Sequence, residues 1–175
     1  MARRVNKGLG RIREALRRSS ILDLLTFEMR GQRCALLASE VLEVQQAVAT
    51  TALPRAPAIV EGVVNLRGTL VPVLDIRARL GFPPEPLDVS NHLVFGRLPR
   101  KSGRAQTVAI RVDRALDLVR VAGEQIEDPR PIVGAVQAAG VAKLADGLVV
   151  IHDLRTFLSF DEAQQLDLAL IGAEH

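Results

Sequence analysis

Two β-rich apolar runs, Val60 to Leu66 and Thr69 to Leu74, are separated only by Arg67-Gly68. Runs of this kind joined by a glycine-containing turn pair at once, so the pattern predicts a β-hairpin. Asn65 and Arg67 stand beside that turn on rigid strands, either as turn formers or as recognition groups; periodicity leaves both readings open. Upstream, Ile21 to Met29 and Arg33 to Leu37 flank Arg30-Gly31-Gln32 and predict a second hairpin. Between the hairpins, Ser39 to Val44 allows one helical turn with Ser39 as N-cap, then a strand from Val44 to Ala49. Pro54 and Pro57 stop any long helix there. Asp75 to Gly81 reads as a short helix with a glycine stop. Phe82-Pro83-Pro84-Glu85-Pro86 is a stiff loop and the expected boundary between two halves.

The second half repeats the style of the first. Strands are expected at His92 to Leu98, Thr107 to Val112 and Ala115 to Val121, with Pro99 to Arg104 as a basic hairpin tip. Glu124 to Pro131 reads as a loop. Val133 to Leu144 and Leu148 to Ile151 read as strands paired around Asp146-Gly147. Ser159 and Glu162 have capping-box spacing and open a helix over roughly residues 160–171, with Ala163, Leu166 and Leu170 on one face. Many short strands with few short helices favour small β-barrels over a parallel α/β sheet.

Residues 1–18 form a separate segment. Val5, Leu9, Ile12 and Leu16 make one apolar stripe among Arg3, Arg4, Lys7, Arg11, Arg13, Arg17 and Arg18. This predicts a basic amphipathic helix, weakened by Gly8 and Gly10 by roughly 1 kcal/mol each relative to Ala. It reads either as a solubilising tail or as a helix that docks on an acidic partner, nucleic acid or anionic lipid. The tail carries +6 and the rest −3, so the overall +3 describes the tail and not the body.

With 48% apolar and 25% charged residues, the 175-residue chain reads as a globular protein. No apolar run is long enough to cross a bilayer, and no apolar signal segment follows the basic start. The single cysteine, Cys34, cannot form an internal bridge and reads as a small buried side chain. Cytoplasmic residence is expected.

Catalytic chemistry finds little material. His92 and His152 lie in or beside apolar strands, and His175 is the last residue. One cysteine without a histidine pair does not make a zinc site, and adjacent His152 and Asp153 point to opposite faces of a strand. Phosphate-binding, dinucleotide-binding and nucleophile-elbow motifs are absent. Neither enzymatic activity nor a cofactor or metal is expected. Nucleic-acid binding by the body is disfavoured by its negative charge and by the absence of Trp and Tyr.

The segment EGVVNLRGTLVPVLDIRARLG resembles the GVxNLRGxxxPVxDLxxxxG stretch of the CheW-like coupling proteins of bacterial chemotaxis. LLTFEM, CALLASEVLEVQQ, TVAIRVDRALDLVRVAGEQIEDPR and ADGLVVIHDLRTFLS resemble its other strands in the same order. The resemblance implies two intertwined five-stranded SH3-like β-barrels: the first over roughly residues 19–82, the second over roughly 90–158, then a C-terminal helix. It implies a non-catalytic adaptor between chemoreceptor cytoplasmic hairpin tips and the regulatory domain of a CheA-type histidine kinase. Such an adaptor is recruited to membrane-associated receptor arrays without inserting into the membrane. One barrel surface would meet the kinase, and a groove between the barrels would take the receptor helices. Asn65, Leu66, Arg67 and Gly68 fall on the family motif. Glu43 falls on an acidic position that pairs with the arginine. Val41, Val44, Val63 and Leu66 are candidates for an apolar partner surface or for the core. The remaining alternatives are a receptor-independent scaffold, or binding of nucleic acid or an acidic partner through the tail.

Overall fold

The computed structural model describes residues 6–100, 105–129 and 138–173. Helix α1, Asn6–Arg18, leads into strands β1, Ile21–Met29, and β2, Gln32–Leu37. Their two-residue turn has Arg30 and Gly31 at φ 49° and 78°. Positive φ at both central positions matches the right-handed twist of the flanking strands. A 3-10 turn, Ala38–Glu40, passes the chain to β3, Val41–Gln46. The central hairpin follows as β4, Val60–Leu66, and β5, Thr69–Leu74. A 3-10 turn at Ala78–Leu80 then ends on left-handed Gly81. Next come β6, His92–Leu98; β7, Gln106–Val112; β8, Arg114–Ala122; β9, Ile126–Glu127; β10, Ala138–Leu144; and β11, Gly147–His152. A 3-10 turn at Leu154–Phe157 precedes the last helix, α2, Phe160–Ala173.

The strands form two sheets, ordered β8-β1-β2-β11-β10-β9 and β3-β6-β7-β5-β4. Pairings are antiparallel except β2 with β11 and β5 with β7. This is the mainly-β, intertwined arrangement expected, but the chain is shared out differently from the 19–82 and 90–158 division. β1 and β2 belong with β8 to β11, and β3 to β7 make the second sheet. The proline-rich loop is not a boundary because Arg111 on β7, 3% exposed, ties it down. Its guanidinium donates to the carbonyls of Glu85 and Pro86, to Asn91 and to Glu61.

Other local expectations shift for identifiable reasons. β3 begins at Val41, and the preceding turn is entered from Leu37 with no side-chain cap, so Ser39 has no capping role. The short strand β9 lies where a loop was expected; it pairs Glu127 with Val141 and Ile126 with Ala142, giving that sheet a sixth strand. A two-residue strand has too little alternation to be read from sequence. Residues 133–137 of the expected strand before Asp146 lie outside the described residues, as does most of the basic tip. The capping box is present: Ser159 Oγ accepts from the Glu162 N–H at 3.1 Å, and Glu162 Oε1 from the Ser159 N–H at 2.9 Å.

Three apolar clusters hold the fold. One fills the first sheet, with Leu22, Leu24, Val121, Val149 and Ile151. Another fills the second sheet, with Val64, Val71, Val73, Leu93 and Phe95. The largest lies between them, around Phe27, Leu36, Leu74, Ile110, Phe157 and Leu166. Helix α1 joins the first cluster through Ile12, 3% exposed, with Ala15 and Leu16 beside it. Burying Ile12 contributes roughly 1.5–3 kcal/mol. That docking explains how a 13-residue helix with internal glycines persists, since isolated helices of that length are marginal. The solubilising-tail reading is therefore corrected for α1. Val5 and the side chain of Leu9 lie outside what is described. Among the described residues no helix is long and apolar enough to cross a membrane.

Candidate functional site

The central hairpin turns on Arg67 and Gly68, at φ 51° and 87°. Asn65 fixes this turn: its Oδ1 accepts from the Gly68 N–H at 2.7 Å. Asn65 is thus a turn former, and the turn it fixes holds Arg67 at the tip of the hairpin. Arg67 grips Glu43 on β3 with both guanidinium nitrogens, Nη1 to Oε2 at 2.6 Å and Nη2 to Oε1 at 3.3 Å. Gln45 donates to the same carboxylate. The hydrogen bond from Arg67, reinforced by that from Gln45, holds the Glu43 carboxyl below the usual carboxylate range.

The pair has an architectural setting that the sequence did not show. β3 and β4 are the two ends of the five-strand order, so Arg67 and Glu43 reach across opposite edges of one sheet. Past the end of β3, Thr51 forms an antiparallel bridge with Val63 on β4. Both backbone bonds are made, Thr51 N–H to the Val63 carbonyl at 2.9 Å and the reverse at 2.8 Å. The segment after β3 thereby bridges to the opposite edge strand, the contact through which a sheet of this order curls toward a barrel. A Cβ at Gly62 would lie 2.5 Å from the Thr51 carbonyl oxygen, so only glycine lets this backbone come so near. Pro72 is tolerated beside β4 because its partner Val63 directs its backbone groups to Thr51.

The remaining expected residues separate by burial. Val63 is 6% exposed and packs in the core between the sheets, so it is withdrawn as a partner-surface residue. Val41 is half-buried against the same core, and Leu66 is half-buried over the second sheet's core. Val44 stays on the surface, as does Leu42, which the sequence reading passed over. A cleft of about 340 Å³ opens beside Asn65, lined also by Val48, Leu53, Pro54, Leu70 and Ala173. Neither the cleft nor exposed Val48 has a local sequence signal, because loop and helix end meet only in the fold.

A second apolar surface was also missed. Leu116 and Leu118 of β8 are exposed, the latter by 70%. Leu118 stands opposite Leu25 of β1, and Leu25 packs in the core between the sheets. Paired strand residues share a face, so Leu118 continues the inter-sheet core out to solvent. The sequence predicts a strand over Ala115 to Val121 but carries no local signal of which of its residues the fold leaves uncovered.

Of the tail arginines, Arg3 and Arg4 lie outside the described residues. Arg17 and Arg18 are exposed, and Arg18 pairs with Glu14 at 3.3 Å. Arg11, expected to face a partner, instead turns inward to Glu40 and Asp153. Arg100 of the basic tip is likewise engaged, by Asp167 at 2.7 Å. His92 accepts a hydrogen bond from the Ala115 N–H at 3.1 Å, and His152 is buried against Phe157. Burial pushes the Cys34 thiol up to about 12, as a core side chain requires. Among the described residues no cluster of His, Cys, Asp and Glu could hold a metal ion.

Comparisons with known proteins bear on the family and the fold. Residues 23–162 match the family model described as the CheW-like domain. A probable chemotaxis protein CheW from Rhizobium etli is 26% identical over 145 residues, covering 81% of this chain and 90% of its own. The chemotaxis protein CheW of Treponema pallidum is 23% identical, covering 82% of this chain and 85% of its own. Among solved structures, the scaffolding protein TtCheW from Thermoanaerobacter tengcongensis has the same fold. Its TM-score is 0.71 at 23% identity, over 81% of this chain and 94% of that one.

Proposed function

The chain belongs to the CheW-like domain family, and from that premise we propose that it is a non-catalytic chemotaxis adaptor coupling chemoreceptors to a CheA-type histidine kinase. The observation that carries this reading to particular residues is the Arg67–Glu43 pair on the rim of the second sheet. The Arg67 side chain remains 74% exposed while both of its nitrogens are held, so a charged recognition group is presented in one orientation. Pre-organisation of that kind lowers the ordering cost of association. The kinase regulatory domain is assigned to this rim, where Val44, Leu42 and the cleft beside Asn65 supply apolar contact. The receptor hairpin tip is assigned to the apolar ledge of Leu116 and Leu118 between the sheets. An amphipathic helix suits such a ledge, because rigid strands fix the spacing of its apolar anchors. The protein would then work in the cytoplasm at receptor arrays, holding both partners at raised effective concentration.

Calorimetric titration with the regulatory domain of a CheA-type kinase tests the reading. Binding near 1 μM, about −8 kcal/mol, is expected for the wild type. Arg67→Glu is expected to weaken it at least about tenfold with the circular dichroism spectrum unchanged. Equal affinity of the two proteins would remove Arg67 from the coupling surface. Absence of binding by either would remove the kinase assignment.

A further inference from the structure

Helix α1 precedes the segment that matches the family model, which begins at residue 23, yet the body is shaped to receive it. A Cβ at Gly140 would lie 3.3 Å from Ile12 Cδ1, and one at Gly123 would lie 3.2 Å from Leu16 Cδ2. Both positions are tighter than ordinary contact, so glycine there makes room for the helix. Arg11 leaves the seated helix and reaches two carboxylates. These are Glu40, in an ion pair, and Asp153, with Nη1 to Oδ1 at 3.2 Å. The two acidic side chains are only 6% and 3% exposed.

The location of those carboxylates gives the contact its meaning. Glu40 lies in the turn that carries the chain from β2 of the first sheet to β3 of the second. Asp153 caps the turn that carries it from β11 to the core between the sheets, accepting from the Arg155 N–H at 3.0 Å. Both crossings press on Gly96 of β6, where a Cβ would lie 2.8 Å from Leu154 Cδ2 and 3.0 Å from the Glu40 carbonyl oxygen. The charged groups facing Glu40 are Arg11 from α1 and Asp153 with Arg155 from the second crossing. Without Arg11, two buried carboxylates would confront each other with Arg155 as the remaining cation, its Nη2 at 3.2 Å from Asp153 Oδ2. Glu43 sits three residues beyond Glu40, in the strand β3 that this turn launches.

We propose that α1 is a built-in latch: seated through Arg11, it locks both turns that leave the first sheet and so holds β3 and its Glu43 in place, and unseating it frees them. Partner coupling through Glu43 rests on the function proposed above, whereas the latch itself does not. Arg11 is in this sense a positioning residue. It touches no partner and acts through the turn that launches β3.

Amide hydrogen exchange and side-chain titration of the full chain test it, using Arg11→Met and the conservative Arg11→Lys. In Arg11→Met, exchange of Ala38–Glu40, Val41–Gln46 and Leu154–Phe157 is expected to quicken at least about tenfold while β5 and β7, which do not pair with β3, keep wild-type protection. The Glu40 carboxyl, followed by carbon NMR, is expected to titrate higher once its cation is gone. Arg11→Lys should return part of both effects, and it carries the test if Arg11→Met does not fold. Wild-type exchange at the two crossings, or an equal increase in every strand, would overturn the latch. So would an unmoved Glu40 midpoint. Kinase-domain affinity is measured alongside, with a loss of about tenfold expected for Arg11→Met. A wild type that binds no kinase domain counts against the proposed function, while the exchange and titration data still decide the latch.

Discussion

Replacing Glu40 by Gln is expected to stabilise the protein at neutral and alkaline pH and to leave it nearly unchanged in mild acid. Burial raises the Glu40 pKa from 4.5 to about 7, and Asp153 adds to the rise, against the lowering effect of Arg11 and Arg155. A raised folded-state value means that the folded protein binds the proton more tightly than the unfolded chain does. The favourable contribution is therefore complete below about pH 4.5 and is lost as pH rises through about 7. At about 1.4 kcal/mol per unit, the difference between the ends of that window is about 3 kcal/mol. For a domain of this size it corresponds to about 6–12 °C in Tm. A neutral amide keeps the shape without the charge, so Glu40→Gln should show no such slope. Urea denaturation of wild type and variant at pH 5, 6, 7 and 8 measures it: the curves should nearly coincide at the acid end and separate progressively. A difference that does not change with pH, or a wild type more stable than the variant at pH 8, would refute the reasoning. The sign is informative, because a buried ion pair often stabilises less than a neutral replacement, whereas loss of one partner leaves the other uncompensated.

Two further substitutions test the barrel and the ledge. Gly62→Ala should cost roughly 1–3 kcal/mol in urea denaturation, because its new Cβ would lie 2.5 Å from the Thr51 carbonyl oxygen; wild-type stability would mean that the Thr51 bridge does not close the sheet rigidly. Leu118→Asp should change stability by less than about 0.5 kcal/mol, since that side chain is 70% exposed. It should abolish co-sedimentation with a receptor hairpin tip and spare kinase-domain binding; retained receptor binding would move that site elsewhere.

Local pattern carried the fold a long way. Hairpins were legible wherever two apolar runs flank a turn whose residues must take positive φ, as at Arg30-Gly31 and Arg67-Gly68. The capping box of α2 and the glycine stop at Gly81 were legible for the same reason, since each is contained within a few residues. Sheet membership was not. The pairing of β2 with β11, and the return of β8 to β1, join residues far apart in the chain, and no turn chemistry announces them. The proline-rich loop misled because stiffness reads as a boundary in sequence. Whether a loop separates two bodies depends on what holds it, and here a buried Arg111 binds it to β7.

The same distinction governs the candidate site. Asn65 and Arg67 were visible because they belong to the turn, and Glu43 was visible only through the family resemblance. Nothing local relates Glu43 to a hairpin that begins seventeen residues later. The structure supplies the missing connection: Thr51, in the segment that follows β3, bridges to Val63 on β4, and the ion pair spans the same two edges of the β3-β6-β7-β5-β4 order. One device therefore shapes the barrel and displays its charged rim, so a change that opens the barrel should also disorder the rim. Arg11 extends this logic to the tail. Its sequence context, a basic amphipathic stripe, fits a helix bound for an external acidic partner. The acidic partner that the fold supplies for Arg11 is internal, divided between two crossings that only tertiary structure brings together. Arg17, on the exposed side, remains available to a partner of opposite charge, whereas Arg18 is paired with Glu14. Charge composition thus identified the complementary chemistry, and burial decides which arginines meet it within the molecule.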